Sequence, residues 1–120
     1  MLKKNCLLQM SEKGDELLIS LSGEIDHHSA VRVRNEIDGR IMETRPARAV
    51  IELSMIDFMD SSGLGLIMGR YSKMQAIGGE LVLRDPNERL VRIFKLAGLE
   101  RIVGIEYTSE KERENEDQRN

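Results

Sequence analysis

The sequence predicts a single α/β domain, a mixed β-sheet covered by α-helices, and three observations carry that reading. The chain has 120 residues, the size of one hydrophobic core. Its apolar pattern switches between short strand-like runs and helical stripes in the order ββαβαβαβ, with short connections. The inner runs are too continuously apolar to face water, so helices must cover the sheet.

Residues 5–10 and 16–22 read as the first two strands. The second alternates, with Leu17, Ile19 and Leu21 on one face and Leu18, Ser20 and Ser22 on the other. Glu12-Lys13-Gly14-Asp15 is a turn signal between them, which predicts an antiparallel hairpin. Gly23 ends the second strand, and Asp26 can cap a helix running to about residue 42. That helix sets Ala30, Val33, Ile37 and Ile41 inward and Arg32, Arg34, Glu36, Asp38 and Arg40 toward water. Pro46 breaks the chain, and Ala49-Val50-Ile51-Glu52-Leu53 is a buried strand.

A second helix is expected over 62–77, with Leu64, Ile67, Tyr71 and Met74 in register and Gly78-Gly79 as its stop. Residues 80–84 form a strand around Leu81, Val82 and Leu83. Asp85-Pro86-Asn87-Glu88 is a helix start, read with Asp85 as the cap and Pro86 at the first helical position. That helix carries Leu90, Ile93, Phe94 and Ala97 inward and ends at Gly98, before a last strand over 101–107. The folded domain is placed at 1–109. The remainder, 110–120, has five acidic and three basic residues and none that is apolar, so it is expected to be a disordered charged tail.

Composition narrows the function. The net charge of −3 leaves no broad basic face with which to grip nucleic acid. Aromatic residues make up only 3%, so the core must be aliphatic and methionine-rich. Cys6 is the single cysteine, so neither an internal disulfide nor a thiolate metal site is available. No apolar run is long enough to span a bilayer and no secretory h-region opens the chain, which predicts a cytoplasmic protein without a membrane partner.

The most informative stretch is Phe58-Met59-Asp60-Ser61-Ser62-Gly63-Leu64-Gly65. It puts two hydroxyls where a strand-like run gives way to a helix, at the positive end of the helix dipole and among free backbone N–H groups. Such a position suits a side chain that must sometimes carry phosphate. It equally suits a plain N-cap, since Ser and Asp are preferred there. Gly63, Gly65 and Gly69 are spaced GxGxxxG, inside a helix and without a following Lys-Ser or Lys-Thr, so a P-loop is excluded and a nucleotide-binding fingerprint is disfavoured. Gly65 and Gly69 lie one turn apart on one face, against the helix propensity of the segment, which calls for close packing on the sheet or a partner's backbone nearby.

His27-His28 is the only histidine pair, and no third ligand completes a metal site beside it. Of the apolar cluster before the second helix, Ile56 and Phe58 are expected in the core, with Met55 and Met59 open to either core or docking surface.

With its surroundings, the Asp-Ser-Ser-Gly-Leu-Gly core resembles the phosphorylation site of bacterial anti-sigma factor antagonists, small proteins of the STAS domain family. The resemblance spans most of 15–107. Its specific parts are Gly23-Glu24-Ile25-Asp26-His27-His28, the stretch 58–71, Ile77-Gly78-Gly79-Glu80 and Leu96-Ala97-Gly98-Leu99. Met68-Gly69-Arg70-Tyr71 and the His pair point to the sigma F branch, concerned with sporulation.

The resemblance implies a STAS-like domain that binds an anti-sigma factor which is also a serine kinase. It implies Ser61 as the phosphoacceptor, a serine phosphatase that restores the protein, and no catalysis or cofactor of its own. The implied partner contacts are Glu24, Asp26, His27, His28, Met59, Asp60, Ser61, Ser62 and Gly65, with the acidic loop meeting a basic residue of the partner. Asp26 is alternatively only a helix cap. An antagonist in a stress-response sigma pathway, a nucleotide-binding STAS module and a transporter-regulating STAS module are the competing readings. The charged tail matches nothing in the family.

Overall fold

The computed structural model of the chain describes residues 6–108; the tail expected at 110–120 lies outside the described residues. Eight elements follow the expected order: β1 (Leu7–Lys13), β2 (Glu16–Ser22), α1 (His27–Thr44), β3 (Arg48–Met55), α2 (Ser61–Ala76), β4 (Glu80–Arg84), α3 (Glu88–Ala97) and β5 (Gly104–Glu106). The strands form one mixed sheet in the spatial order β1-β2-β3-β4-β5. β1 runs antiparallel to β2, and the other three pairings are parallel, each joined through a helix.

In-register rows run across the sheet: Leu17 beside Ala49 beside Leu81, and Ile19 beside Ile51 beside Leu83. Because neighbouring strands are added always in one direction, right-handed crossovers put the helices on the same side. Val33, Ile37 and Ile41 of α1, Leu66, Ile67 and Met74 of α2, and Leu90 and Phe94 of α3 join these rows in one core cluster. The other face carries Val50 and Val82 beside a charged ladder. There Arg84 Nε lies 2.7 Å from Glu106 Oε1, and Arg48 Nε lies 3.4 Å from Glu16 Oε2. Burial pushes the Glu106 carboxyl up, but hydrogen bonds from Arg84 and Arg48 outweigh it and hold it below the usual range.

Several local expectations are corrected. β1 extends through Glu12 and Lys13 because Gly14, at φ 60°, lets the turn close in two residues. Asp38 is not on the wet side of α1. It meets Arg70 of α2, a guanidinium only 4% exposed, with Nε 2.8 Å from Asp38 Oδ1. The approach is an ion contact without hydrogen-bond alignment. The inward face of α2 is consequently rotated by about one residue: Gly63, Leu66, Ile67, Arg70 and Met74 are buried, while Leu64 and Tyr71 are half-buried.

The cap of α3 is Asn87, two residues later than expected, since Asp85 adopts a left-handed backbone (φ 54°). The Asp85 carboxylate accepts from the backbone N–H and the hydroxyl of Thr108 instead. Ala97 is exposed, and Leu99, in a short 3-10 turn before β5, takes the buried place. That turn also shortens the last strand to Gly104–Glu106.

Candidate functional site

Two loops leave the carboxyl ends of the adjacent parallel strands β2 and β3, residues 23–26 and 56–60. They are stitched together by a parallel bridge between Ile25 and Met59. Both of those side chains are buried, so the bridge brings the expected acidic loop directly beside the expected phosphorylation loop. Ligands in α/β sheets favour this same end of the strands.

The loop after β3 alternates in its burial. Ile56 and Met59 point inward, while Met55, Asp57 and Phe58 are exposed. Phe58, expected in the core, is 54% exposed. Met59 turns inward instead, fitted against Gly63, where an added Cβ would lie 2.6 Å from Met59 Cβ. Met59, at 2% exposure, is a core residue and does not present its side chain to a partner.

Asn87 fixes the same loop from α3. Its amide donates to the carbonyls of Ile56 (3.3 Å) and Asp57 (3.1 Å) while its Oδ1 accepts from Leu90 N–H at 2.8 Å. Sequence reading missed this pin. The only signal was an Asx residue at a helix start, and that signal does not reveal a second set of partners thirty residues away.

Asp60 caps α2, its Oδ1 accepting the Ser62 N–H at 2.8 Å. Ser61 is the first helical residue and exposed; Ser62 is half-buried. The first turn of α2 carries no acidic side chain. Gly65, one turn on, is exposed, with no heavy atom within 4 Å of where a Cβ would stand.

Across the bridge, Glu24 is exposed and Asp26 caps α1 in a capping box with Ser29. Asp26 Oδ1 accepts the Ser29 N–H at 2.8 Å and its hydroxyl at 3.1 Å. These two bonds, the backbone one first, hold the Asp26 carboxyl below its usual range. Capping, one of the two roles open to Asp26, is therefore observed. His27 and His28 are exposed at the start of α1, their ring centroids 6.0 Å apart. Among the described residues no group of three or more His, Cys, Asp or Glu side chains is placed to hold a metal. No described helix is long and apolar enough to cross a membrane.

Between the two loops opens a groove. Its walls include Glu24, Asp26, Asp57 and Asp60, with Met55 and Phe58 among the apolar lining. Ser61 stands just beyond its rim.

The STAS domain profile matches residues 8–112. The chain belongs to the STAS domain family. Among STAS relatives, the anti-sigma F factor antagonist of Paenibacillus polymyxa is 38% identical over 101 residues, 84% of this chain and 86% of the relative. The anti-sigma-B factor antagonist of Bacillus subtilis is 31% identical over 106 residues, covering 88% of this chain and 95% of the relative. The anti-sigma factor antagonist SpoIIAA in its unphosphorylated form superposes with a TM-score of 0.76, at 26% identity, over 93% of this chain and 96% of its own. The phosphorylated form of SpoIIAA, from Bacillus, gives 0.70 at 27% identity, over 92% and 98%. The likeness to anti-sigma factor antagonists read from the serine motif thus extends over nearly the whole STAS domain.

Proposed function

We propose that this chain is an anti-sigma factor antagonist. Its unphosphorylated form binds an anti-sigma factor that is also a serine kinase and so releases the sigma factor, and phosphorylation of Ser61 switches it off. The observation that carries this reading is the placement of Ser61. It is an exposed hydroxyl at the first position of α2, beside an acidic groove and free of carboxylates in its own first turn.

The chain does no catalysis in this reading. The kinase brings ATP; a bond forms between Ser61 Oγ and the γ-phosphorus, the bond to the β-phosphate bridging oxygen breaks, and ADP leaves. The hydroxyl proton passes to a base of the kinase. A serine phosphatase removes the phosphate by hydrolysis.

The switch acts on binding rather than on folding. A phosphoserine carries about −1.5 to −2 charges. At a helix N-terminus such charge is favourable by about 0.3–1 kcal/mol. Against a partner surface the same dianion, close to Asp60 and the groove's other carboxylates, must be desolvated and repels acidic neighbours. A penalty of about 3 kcal/mol lowers affinity roughly a hundredfold. The interface effect exceeds the folding effect.

Sigma F is the favoured pathway, on the His pair and the Met68-Gly69-Arg70-Tyr71 sequence and on the relative in Paenibacillus polymyxa. The second reading is a stress-response pathway, favoured by the sigma-B relative. Binding of the purified chain to candidate anti-sigma F and anti-sigma B factors, before and after incubation with ATP, tests both. Tight binding to the first, lost on phosphorylation, is expected. Selective binding to the second transfers the chain to the rival pathway, and binding to neither refutes the antagonist reading.

A further inference from the structure

Arg70 is a buried ion to which the proposed switch gives no task. It sits in the inward stripe of α2, between Ile67 and Met74, and is 4% exposed. Its ion partner is Asp38 of α1, whose side chain is 22% exposed, with Nε 2.8 Å from Oδ1. Among the described residues, Arg70 Nε, Arg70 Nη1 and Asp38 Oδ1 have no aligned hydrogen-bond partner. Arg34, one turn before Asp38 on α1, adds a like charge against the guanidinium.

Such a pair is a poor way to gain stability. Desolvating two ions offsets most of their attraction, and apolar side chains of similar size in their place often fold as well or better. A buried polar contact instead selects one arrangement among several, as a single polar residue does in the seam of a coiled coil. The rest of the layer is aliphatic here: Val33, Ile37 and Ile41 of α1 share one cluster with Leu66, Ile67 and Met74 of α2. Side chains of that kind repack at small cost and lose uniqueness before they lose stability. The ion pair is what distinguishes one position of α1 along α2 from the next.

Asp38 and Arg70 each stand about three turns into their helices, and the starts of those helices carry the two site loops. α1 begins at its cap Asp26, just after Glu24; α2 begins at its cap Asp60, just before Ser61. The loops themselves are joined by the Ile25–Met59 bridge. We infer that Arg70 and Asp38 are positioning residues, a register key between α1 and α2 that holds Ser61 at a fixed place relative to Glu24. The consequence at the site rests on the proposed antagonist function; the key itself does not. A reacting group misplaced by about 1 Å loses about a hundredfold in rate, so a small slide of one helix along the other is enough to matter.

The test uses the whole chain with Asp38→Leu and Arg70→Met combined, which removes the key without stranding a lone buried ion. The melting temperature should equal or exceed that of the wild type. Spin labels on the free chain at His27→Cys and Met68→Cys, both exposed, should give a narrow distance distribution with the key and one at least twice as broad without it. Cys6 is buried and takes no label. Without labels, affinity for the anti-sigma factor kinase that the binding assay above selects should fall at least tenfold, and kcat/KM for phosphate on Ser61 with it. A merely structural pair would leave both unchanged at equal stability. Should the double variant melt below the wild type, the label distances, read on the folded chain, decide. An unchanged distribution overturns the key. A broadened one with wild-type affinity overturns its role at the site while the antagonist reading stands. Failure of the wild-type chain to bind any anti-sigma factor removes that reading, and the label distances still judge the key.

Discussion

Two helices of this domain start just beyond the carboxyl ends of neighbouring strands, and each is capped by an Asx side chain, yet their first turns serve different ends. α3 begins with Asn87 and has Glu88 in its first turn, which answers its own dipole. The Asn87 amide also ties that start to the loop at Ile56 and Asp57. α2 begins with Asp60, has no carboxylate in its first turn and leaves Ser61 exposed. It is anchored from its middle, by Arg70 against Asp38 of α1. The first turn of α2 is therefore left without a carboxylate to compete with added charge, whereas Glu88 already occupies that place in α3.

The largest effect should come from cutting the two anchors in turn. Asp38→Ala strands the buried Arg70 guanidinium. Burial already pulls that guanidinium below its usual pKa, against the opposing pull of Asp38. The loss should be about 3 kcal/mol in urea unfolding, as for a broken buried pair. Asn87→Ala removes a cap and should cost about 1 kcal/mol. Equal losses would mean that α2 is not held from its middle.

Next come the two glycines at the start of α2. Gly63→Ala drives a methyl into Met59 and should lower stability by about 1–3 kcal/mol. Gly65→Ala meets nothing and should raise stability by up to about 1 kcal/mol, yet slow phosphorylation by crowding the face that the kinase must approach. A lower melting temperature for Gly65→Ala would make Gly65 a packing residue and sink its place in the docking surface.

A finer cut separates the two jobs of Asn87. Asn87→Asp keeps the acceptor for Leu90 N–H but loses the donor to the loop carbonyls. Amide exchange over residues 57–60 should rise about fivefold, the equivalent of ~1 kcal/mol for one lost hydrogen bond, with α3 intact. Unchanged exchange would show that the loop needs no pin.

The smallest effect is at acid pH, at the start of α1. Asp26 has a folded pKa below its ordinary 3.8, so its capping stabilisation is complete above that value and lost as pH falls through the folded pKa. Asp26→Asn should flatten this acid limb of the stability curve and leave the neutral-pH dependence alone. An unaltered acid limb would remove Asp26 as its source.

Most of the fold was legible because strand rows and helix stripes are written in local periodicity, as at Leu17, Ile19 and Leu21. The misreadings share one cause: they depend on what meets a residue from elsewhere in the chain. Asp38 looked wet because its partner Arg70 sits 32 positions away, and Arg70 itself lies within a stretch read only as a motif. Phe58 is the local exception: Ile56 and Met59 of the same loop take the inward places, and residue type alone does not rank the three. Asp85 looked like a cap because Asp-Pro is a strong start signal, but Thr108 claims its carboxylate. At the site, the order Asp60-Ser61-Ser62 was enough to place the exposed hydroxyl. The joining of the two loops through Ile25 and Met59, and the pin from Asn87, were not readable from local pattern.

In the proposed switch the start of α2 is kept free so that Ser61 can be charged, and this charge ends partner binding. Incubation with the anti-sigma factor kinase and ATP, mass mapping of the product and measurement of its affinity address both halves at once. A single phosphate on Ser61, none on Ser61→Ala, and affinity reduced about a hundredfold are expected. Phosphate on Ser62, or a Ser61-phosphorylated chain that binds as tightly as the unmodified one, would contradict it.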